Sequence, residues 1–276
     1  MEAATQLPTR PRGGHLRDMP LPGQETPPGL RAVDRAPSLG GRGDAVRVFD
    51  ADPDLLAGLD PAVTDLLRRR VTVPKVWIES GEWLPPAEIA EGETCFGFLV
   101  LDGLMIRSLR THGRDCPELV GAGDLLRPWD YDAEASVPMS VSWTALERST
   151  IAVLDERFAP AICRYPAIVS NLLSRSVQRS RTLAFHLAIA HVRHAETRLQ
   201  MLMWHLADRW GRVTPAGIHL PLALTHETLA HLVCMRRPTA STALQRLKGA
   251  GQLDRRRDGT WLLTGEPPQA PAGSGR

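Results

Sequence analysis

Residues 236–247 read Arg236-Arg237-Pro238-Thr239-Ala240-Ser241-Thr242-Ala243-Leu244-Gln245-Arg246-Leu247. Pro238 is favoured in the first turn of a helix, where its missing N–H costs nothing, and the helix it opens runs to about Gly249. Ala240, Ala243, Leu244 and Leu247 stand at i, i+3, i+4 and i+7, the spacing of a single buried stripe. The opposite face centres on Ser241, Thr242 and Gln245, short hydrogen-bonding side chains with no large apolar residue among them. Arg236 and Arg237 stand at its N-terminal end. Such a helix is narrow, offers donors and acceptors along one side, and favours anions at its start through unpaired backbone amides.

Working outward, the flanking segments complete an arrangement. Upstream, Thr225 is an N-cap for a helix over His226 to Val233, buried through Leu229, Leu232 and Val233. A break at Cys234-Met235-Arg236 separates the two helices. Further back, Leu199, Leu202, Met203, Leu206 and Trp210 share one face of a helix that stops at Gly211, and Leu220-Pro221-Leu222 is a short extended stretch. Downstream, Asp254 to Leu263 with Asp258-Gly259 at its centre reads as a β-hairpin, and it carries Arg255-Arg256-Arg257. Helix, tight turn, helix and hairpin over residues 195–265 is the layout of a winged helix-turn-helix DNA-binding domain. In that layout the helix from Arg237 enters the major groove. An arginine at its start can fork onto guanine O6 and N7, and the arginine-rich hairpin meets the phosphate backbone.

The charge distribution agrees. Residues 191–265 hold 11 basic and 5 acidic side chains, whereas the rest of the chain holds 22 and 26, so the net charge of +2 conceals a basic C-terminal unit.

The N-terminal part has a different texture. From 46 to 158, short apolar runs are broken by glycine and proline, which predicts a compact roll of short strands preceded by a helix from Pro61 to Arg70. Phe98-Leu99-Val100-Leu101, Asp102-Gly103 and Leu104-Met105-Ile106 read as a hairpin on an Asp-Gly turn. Leu119-Val120-Gly121 with Gly123-Asp124-Leu125-Leu126, Val141-Ser142-Trp143 and Ile151-Ala152-Val153-Leu154 are further strand candidates. The segment 159–194 contains no glycine and predicts a long helix. Its Leu173, Val177, Ser180, Ala184 and Leu187 line one seam suited to dimerisation, the alternative being a face packed on its own domain. Residues 1–45 hold 7 of the 23 prolines and 7 of the 23 glycines, too little apolar content to offset ordering, and read as a disordered leader; 266–276 read as a disordered tail. The class is α+β: an N-terminal β-roll over 46–158, a dimerisation helix over 159–194 and the winged helix-turn-helix over 195–265.

Leu220-Pro221-Leu222-Ala223-Leu224-Thr225-His226-Glu227-Thr228-Leu229-Ala230 resembles the entry into the helix-turn-helix of the Crp/Fnr family of transcription regulators. Arg236-Arg237-Pro238-Thr239-Ala240-Ser241-Thr242-Ala243-Leu244 resembles its recognition-helix signature, and Gly251-Gln252-Leu253 stands where members enter the wing. More weakly, 46–195 resembles the family's cyclic-nucleotide-binding-like roll and dimer helix, with Asp102-Gly103 at a turn of the roll and Gly123-Asp124 at the start of its phosphate-binding segment. The resemblance implies base contacts from Arg237 and the Ser241 and Thr242 positions. It implies phosphate contacts from Arg236, Thr239 and Gln245, with Arg255, Arg256 and Arg257 on the wing. Members that read the best-known operator have Glu at the Pro238 position and Arg at the Thr242 position, so a different operator sequence is expected. Duplex DNA, a second copy of the chain and RNA polymerase are the partners implied.

The expected signal is unidentified. Cyclic-nucleotide binders of the family follow a Gly-Glu pair with an Arg-Ser pair. Here the aligned stretch is about Val137-Pro138, so a buried cyclic phosphate would lack its arginine. Arg127 and Arg148 are substitutes less suited to that role. The four cysteines, Cys95, Cys116, Cys163 and Cys234, are scattered and give no iron–sulfur quartet, metal knuckle or disulfide framework. His191 and His194, near His186, could share a metal on a helix, but no carboxylate or cysteine completes a shell, and a solvated face is the simpler reading. Trp129 and Tyr131, with Asp130, Asp132 and Glu134, form a loop that could line a pocket.

Other classes find no support. A chain of 276 residues, 43% hydrophobic, has a real core, about two folding units and no apolar run long enough for a membrane span or signal peptide. A cytoplasmic location is expected. No Gly-rich phosphate loop, nucleophile elbow or His-Glu-x-x-His is present, so an enzyme is not expected. The competing expectation is a winged-helix module that contacts protein and binds no specific DNA.

Overall fold

Ser149-Thr150-Ile151-Ala152-Val153-Leu154 is buried along its whole length, and the reason is that it lies between two cores. A computed structural model describes residues 44–85, 95–127 and 136–268. The leader to residue 43, the tail from residue 269 and the Trp129–Tyr131 loop lie outside the described residues. One antiparallel sheet runs, in order, β1 (Ala45–Arg47), β2 (Thr72–Ile78), β9 (Ser149–Leu154), β4 (Gly97–Asp102) and β7 (Leu125–Leu126). A second runs β3 (Gly81–Trp83), β8 (Ser140–Ala145), β5 (Leu104–Thr111) and β6 (Arg114–Gly121).

Side chains alternate across each strand, so each sheet gives one face to the space between them. Val76, Phe98, Val100 and Ile151 from the first sheet meet Trp83, Met105, Val120 and Trp143 from the second. Trp83 and Trp143 pack edge to face at 5.8 Å. The outer face of the first sheet, through Val73, Leu99, Ala152 and Leu154, is covered by helices. These are α1 (Val48–Ala51), α2 (Pro61–Arg70), α3 (Phe158–Ile162) and the first turns of α4 (Pro166–Ala190). Helix α2 occupies the predicted residues. Asp60 caps it by accepting from the Ala62 amide at 2.8 Å, and Pro61 opens it.

The Asp102-Gly103 hairpin does not form. β4 pairs with β7 and β9 in one sheet, and β5 pairs with β6 and β8 in the other. The Asp-Gly pair carries the chain from sheet to sheet instead. Gly103 has φ +96° and lies so close to Ser149 that a Cβ would stand 2.6 Å from the Ser149 Cα. The hairpin that does form joins β5 to β6 through His112 (φ 45°) and Gly113 (φ 69°), both left-handed as a tight turn between twisted strands requires. β6 is an edge strand, which is why it tolerates Pro117.

The segment 159–194 is not one helix. Phe158 and Ile162 close the outer core as a short helix of their own, and Pro166 opens a 25-residue helix that ends at Ala190. Ile168 and Leu172 of α4 are buried against the roll, and Ile189 near its end is buried in the core shared with the winged unit. The seam residues Leu173, Val177, Ser180, Ala184 and Leu187 are all exposed, Leu173 to 63% and Leu187 to 65%, so this face does not pack on its own domain.

Beyond α4 come α5 (Ala195–Trp210), β10 (Arg212–Thr214), β11 (Gly217–Leu220), α6 (His226–Leu232), α7 (Arg237–Gly249), β12 (Leu253–Arg255) and β13 (Trp261–Leu263). The wing is a four-stranded sheet in the order β10-β11-β13-β12; its first hairpin was not expected, and the stretch read as extended ends strand pairing at Leu220. Gly211 ends α5 for a packing reason, since its φ is −68° and a Cβ there would stand 2.4 Å from the Ala207 carbonyl oxygen. Leu199, Leu202, Met203 and Leu206 form a core with Leu229, Leu232, Leu244, Leu247, Trp261 and Leu263. Leu104 and Leu119 of the roll join the same core, so the winged unit rests on the second sheet.

Candidate nucleic-acid interface

Ala240, Ala243, Leu244 and Leu247 are buried, as the spacing predicts, and this fixes which side of α7 faces outward. Arg236, Arg237, Thr239, Thr242 and Gln245 are exposed, and Ser241 is half-buried at the edge of the same face. Arg236 has extended backbone as the N-cap residue and caps with no side-chain bond, leaving the first amides of α7 open to an anion. The Thr242 hydroxyl donates to the Pro238 carbonyl at 3.1 Å, which leaves its lone pairs and methyl group outward.

The tight turn that sets α7 against α6 is built from backbone bonds. The Met235 amide donates to the Ala230 carbonyl at 2.9 Å and Cys234 takes a left-handed φ of 52°, a conformation that disfavours side chains. Thr225 caps α6 by accepting from the Thr228 amide at 3.0 Å, the role expected of it. Arg198 locks the turn from behind, donating to the Val233 carbonyl at 3.0 Å and to the Val192 carbonyl at 2.6 Å.

On the wing, Arg255 ends β12 with its guanidinium 5.7 Å from the Trp261 ring, while Arg256 and Arg257 are exposed in the loop beyond. The Asp258-Gly259 turn is held by the Thr260 amide donating to Asp258 at 3.0 Å. Within the winged unit Arg246 pairs with Glu196 at 2.7 Å and Lys248 with Asp254 at 2.9 Å. Among the described residues, no carboxylate pairs with Arg236, Arg237, Arg255, Arg256 or Arg257. Five arginines are thus left with uncompensated charge on the recognition helix and wing.

One residue was missed by sequence reasoning. His226 opens α6 with its Nδ1 3.1 Å from the Ser241 Oγ and its ring 6.0 Å from Trp261, joining first helix, recognition helix and wing. Burial, then the charges of Arg255 and Arg237, push its pKa below the ordinary histidine value. Its place after the cap was legible; its contact with Ser241, 15 positions away, was not.

In the roll, the Gly123-Asp124 segment is engaged by the chain itself. Asp124 accepts from the Gly121 amide at 2.9 Å and pairs with Arg209 of α5 at 3.0 Å. Arg175 of α4 donates to the Gly123 carbonyl at 2.7 Å and pairs with Asp52. A cavity of about 520 Å³ opens between this segment, α4 and α5, lined by Glu118, Arg179, His186 and Trp210 among others. Arg148 lies on the surface, paired with Glu79 at 3.4 Å and stacked over Trp77. His191 and His194 are not on one helix, since the first caps the end of α4 and the second the start of α5. Among the described residues no group of three or more metal-ligating side chains comes together, and the four cysteines are free thiols.

A β-roll followed by a long helix and a winged helix-turn-helix with a bare basic face defines a DNA-binding transcription regulator. Residues 197–264 match the model of the Crp-like helix-turn-helix domain, which together with the shared fold supports a DNA-binding transcription regulator of the Crp/Fnr type. The fold is shared with a CooA mutant from Carboxydothermus hydrogenoformans (TM-score 0.55, 23% identity, covering 69% of this chain and 83% of that one). It is shared as well with a cyclic nucleotide-binding domain containing protein from Listeria monocytogenes EGD-e (TM-score 0.56, 19% identity, 69% and 88% covered). FixK2 from Bradyrhizobium japonicum is similar too (TM-score 0.54, 14% identity, 71% and 94% covered). At these identities the likeness is one of fold. No curated protein sequence is similar enough to this chain to count as a match. Transcription regulators of this kind are in general not enzymes.

Proposed function

We propose that the protein acts as a homodimer on a pseudo-palindromic operator, under an unidentified signal received at the β-roll. Two copies joined along Leu173, Val177, Ala184 and Leu187 would present two α7 helices to successive major grooves, about 34 Å apart. The exposure of that seam supports the pairing. Arg237 and the hydroxyl side of Ser241 and Thr242 read bases. Arg236, Thr239 and Gln245 hold the flanking phosphates, and Arg255, Arg256 and Arg257 grip the backbone from the wing. The observation that carries this reading is the outward face of α7, where Arg236, Arg237, Thr239, Thr242 and Gln245 stand exposed opposite a buried apolar stripe and beside the exposed arginines of the wing.

A signal acts only if it binds the two relative orientations of the winged units differently. The Asp124–Arg209 pair, joining the roll to α5, is where such a bias would be transmitted. The protein works by binding and not by catalysis. RNA polymerase is the further partner that control of transcription requires, and the cytoplasm is the compartment in which a thiol-bearing DNA-binding protein would meet both.

The test is selection of duplexes from a randomised library by the full chain. The expected product is an inverted repeat with half-site centres one helical turn, about 10 base pairs, apart. Recovery of duplexes with no common sequence would overturn the reading and favour a module that contacts protein.

A further inference from the structure

His226 stands where the first helix, the recognition helix and the wing meet. Its Nδ1 is 3.1 Å from the Ser241 Oγ on α7, and its ring lies beside Trp261 on β13. Among the described residues, the charged groups that face it from neighbouring elements are Arg237 of α7 and Arg255 of β12, both cationic. Glu227 is the next residue on its own helix and is exposed.

With the neutral ring in its Nε2–H tautomer, the contact with Ser241 has two chemical forms that follow the charge of the ring. When Nδ1 carries no proton it accepts the Ser241 O–H, and the serine oxygen then shows only lone pairs to the groove. That surface suits an amino group, cytosine N4 or adenine N6. When Nδ1 is protonated it donates to the serine oxygen, and the O–H turns outward. That surface suits an acceptor such as guanine O6, guanine N7 or thymine O4. The same hydrogen bond therefore decides the polarity of a base-reading hydroxyl.

DNA biases the choice. In the free protein, burial and two facing guanidinium groups favour neutral imidazole. DNA engaging these arginines, with guanine acceptors at Arg237 and phosphates at Arg255, would offset that positive field and add negative charge, which favours the imidazolium; the proton comes from solvent and the phosphates stay ionised. We propose that His226 is a positioning residue for DNA reading: it takes up a proton as DNA engages Arg237 and Arg255, and that proton sets whether Ser241 meets the bases as donor or acceptor. This rests on the DNA-binding reading above and adds a proton-linked specificity to it.

The sign follows from linkage. A group that binds more protons in the complex than in the free protein strengthens binding as pH falls, by at most about tenfold per pH unit for each proton taken up. The experiment uses the full chain and a duplex that it selects from a randomised library. Affinity is measured by fluorescence anisotropy at constant ionic strength between about pH 6 and pH 8, the range in which histidine titrates. Wild type is expected to bind several-fold more tightly at the acid end, and calorimetry in two buffers of different ionisation enthalpy is expected to show net proton uptake. His226→Gln should flatten the pH profile. Selections repeated at the two pH values should differ at one base pair per half-site, and Ser241→Ala should remove that difference. Specific binding by wild type that is independent of pH, with no proton uptake, overturns the proposal, as does an undiminished pH dependence in His226→Gln. Failure to select any sequence at either pH counts instead against the DNA-binding reading itself.

Discussion

His186 shows how a single side chain can make the whole molecule sensitive to pH. It faces inward from α4 at the junction of roll and winged unit, 5.6 Å from the His205 ring, and among the described residues neither of its buried ring nitrogens has a hydrogen-bond partner. Burial, then the neighbouring His205 charge, push its pKa down to about 4, against an opposing pull from Glu118. The folded state thus binds fewer protons than the unfolded chain between the ordinary histidine value and about pH 4. Stability should be at its full value above the ordinary histidine range and be lost progressively as pH falls toward 4. Chemical denaturation across this range checks it, with His186→Leu expected to lose less on acidification than wild type. Equal losses in the two proteins would remove His186 from the account. Neighbouring Glu118 is only 4% exposed yet keeps its charge compensated, being bonded by both Arg107 and Arg179, so charge and imidazole in this region are handled differently.

Among the elements, those whose signals are local were legible and those defined by distant partners were not. Thr225, Pro238 and the Ala240–Leu247 stripe act within a few residues of themselves, and each does in the structure what its spacing predicts. Asp102-Gly103 has the composition of a hairpin turn, but which sheet a strand joins is decided across the molecule; here Ser149 needs the space that Gly103 leaves. The β10–β11 hairpin gave little signal, because a strand of Arg212, the 88%-exposed Val213 and Thr214 buries too little to impose a pattern. The α4 seam sits between these cases. Periodicity located the face, and only the folded roll shows that its residues remain uncovered in one copy. Leu187→Glu places a charge at the C-terminal end of the seam, where the proposed pairing of helices would make its desolvation costly. Light scattering should therefore report monomers for the variant and dimers for wild type. An unchanged mass would discard this seam as the dimer contact.

For the molecule as a whole, near-neutrality is misleading. A total of 33 basic and 31 acidic residues hides a basic C-terminal unit, and within that unit Arg236, Arg237, Arg255, Arg256 and Arg257 have no carboxylate partner among the described residues. The candidate interface was readable in outline because a DNA-reading helix has local requirements: a narrow body, polar outer face and basic N-terminus. The pairs that join roll to winged unit, such as Asp124 with Arg209, were not, since they connect residues far apart in the chain and each is by itself an ordinary surface charge.

The most direct measurement compares affinity for a selected duplex and a scrambled one of equal length and composition, over a range of salt, in wild type and in Arg237→Ala. Wild type should prefer the selected duplex by about a thousandfold or more, with affinity falling steeply as salt rises. Arg237→Ala should lose about 1–3 kcal/mol, roughly five- to 150-fold, on the selected duplex alone, and relax discrimination at one base pair. Equal wild-type affinity for the two duplexes would contradict the central claim that the outward face of α7 reads DNA sequence.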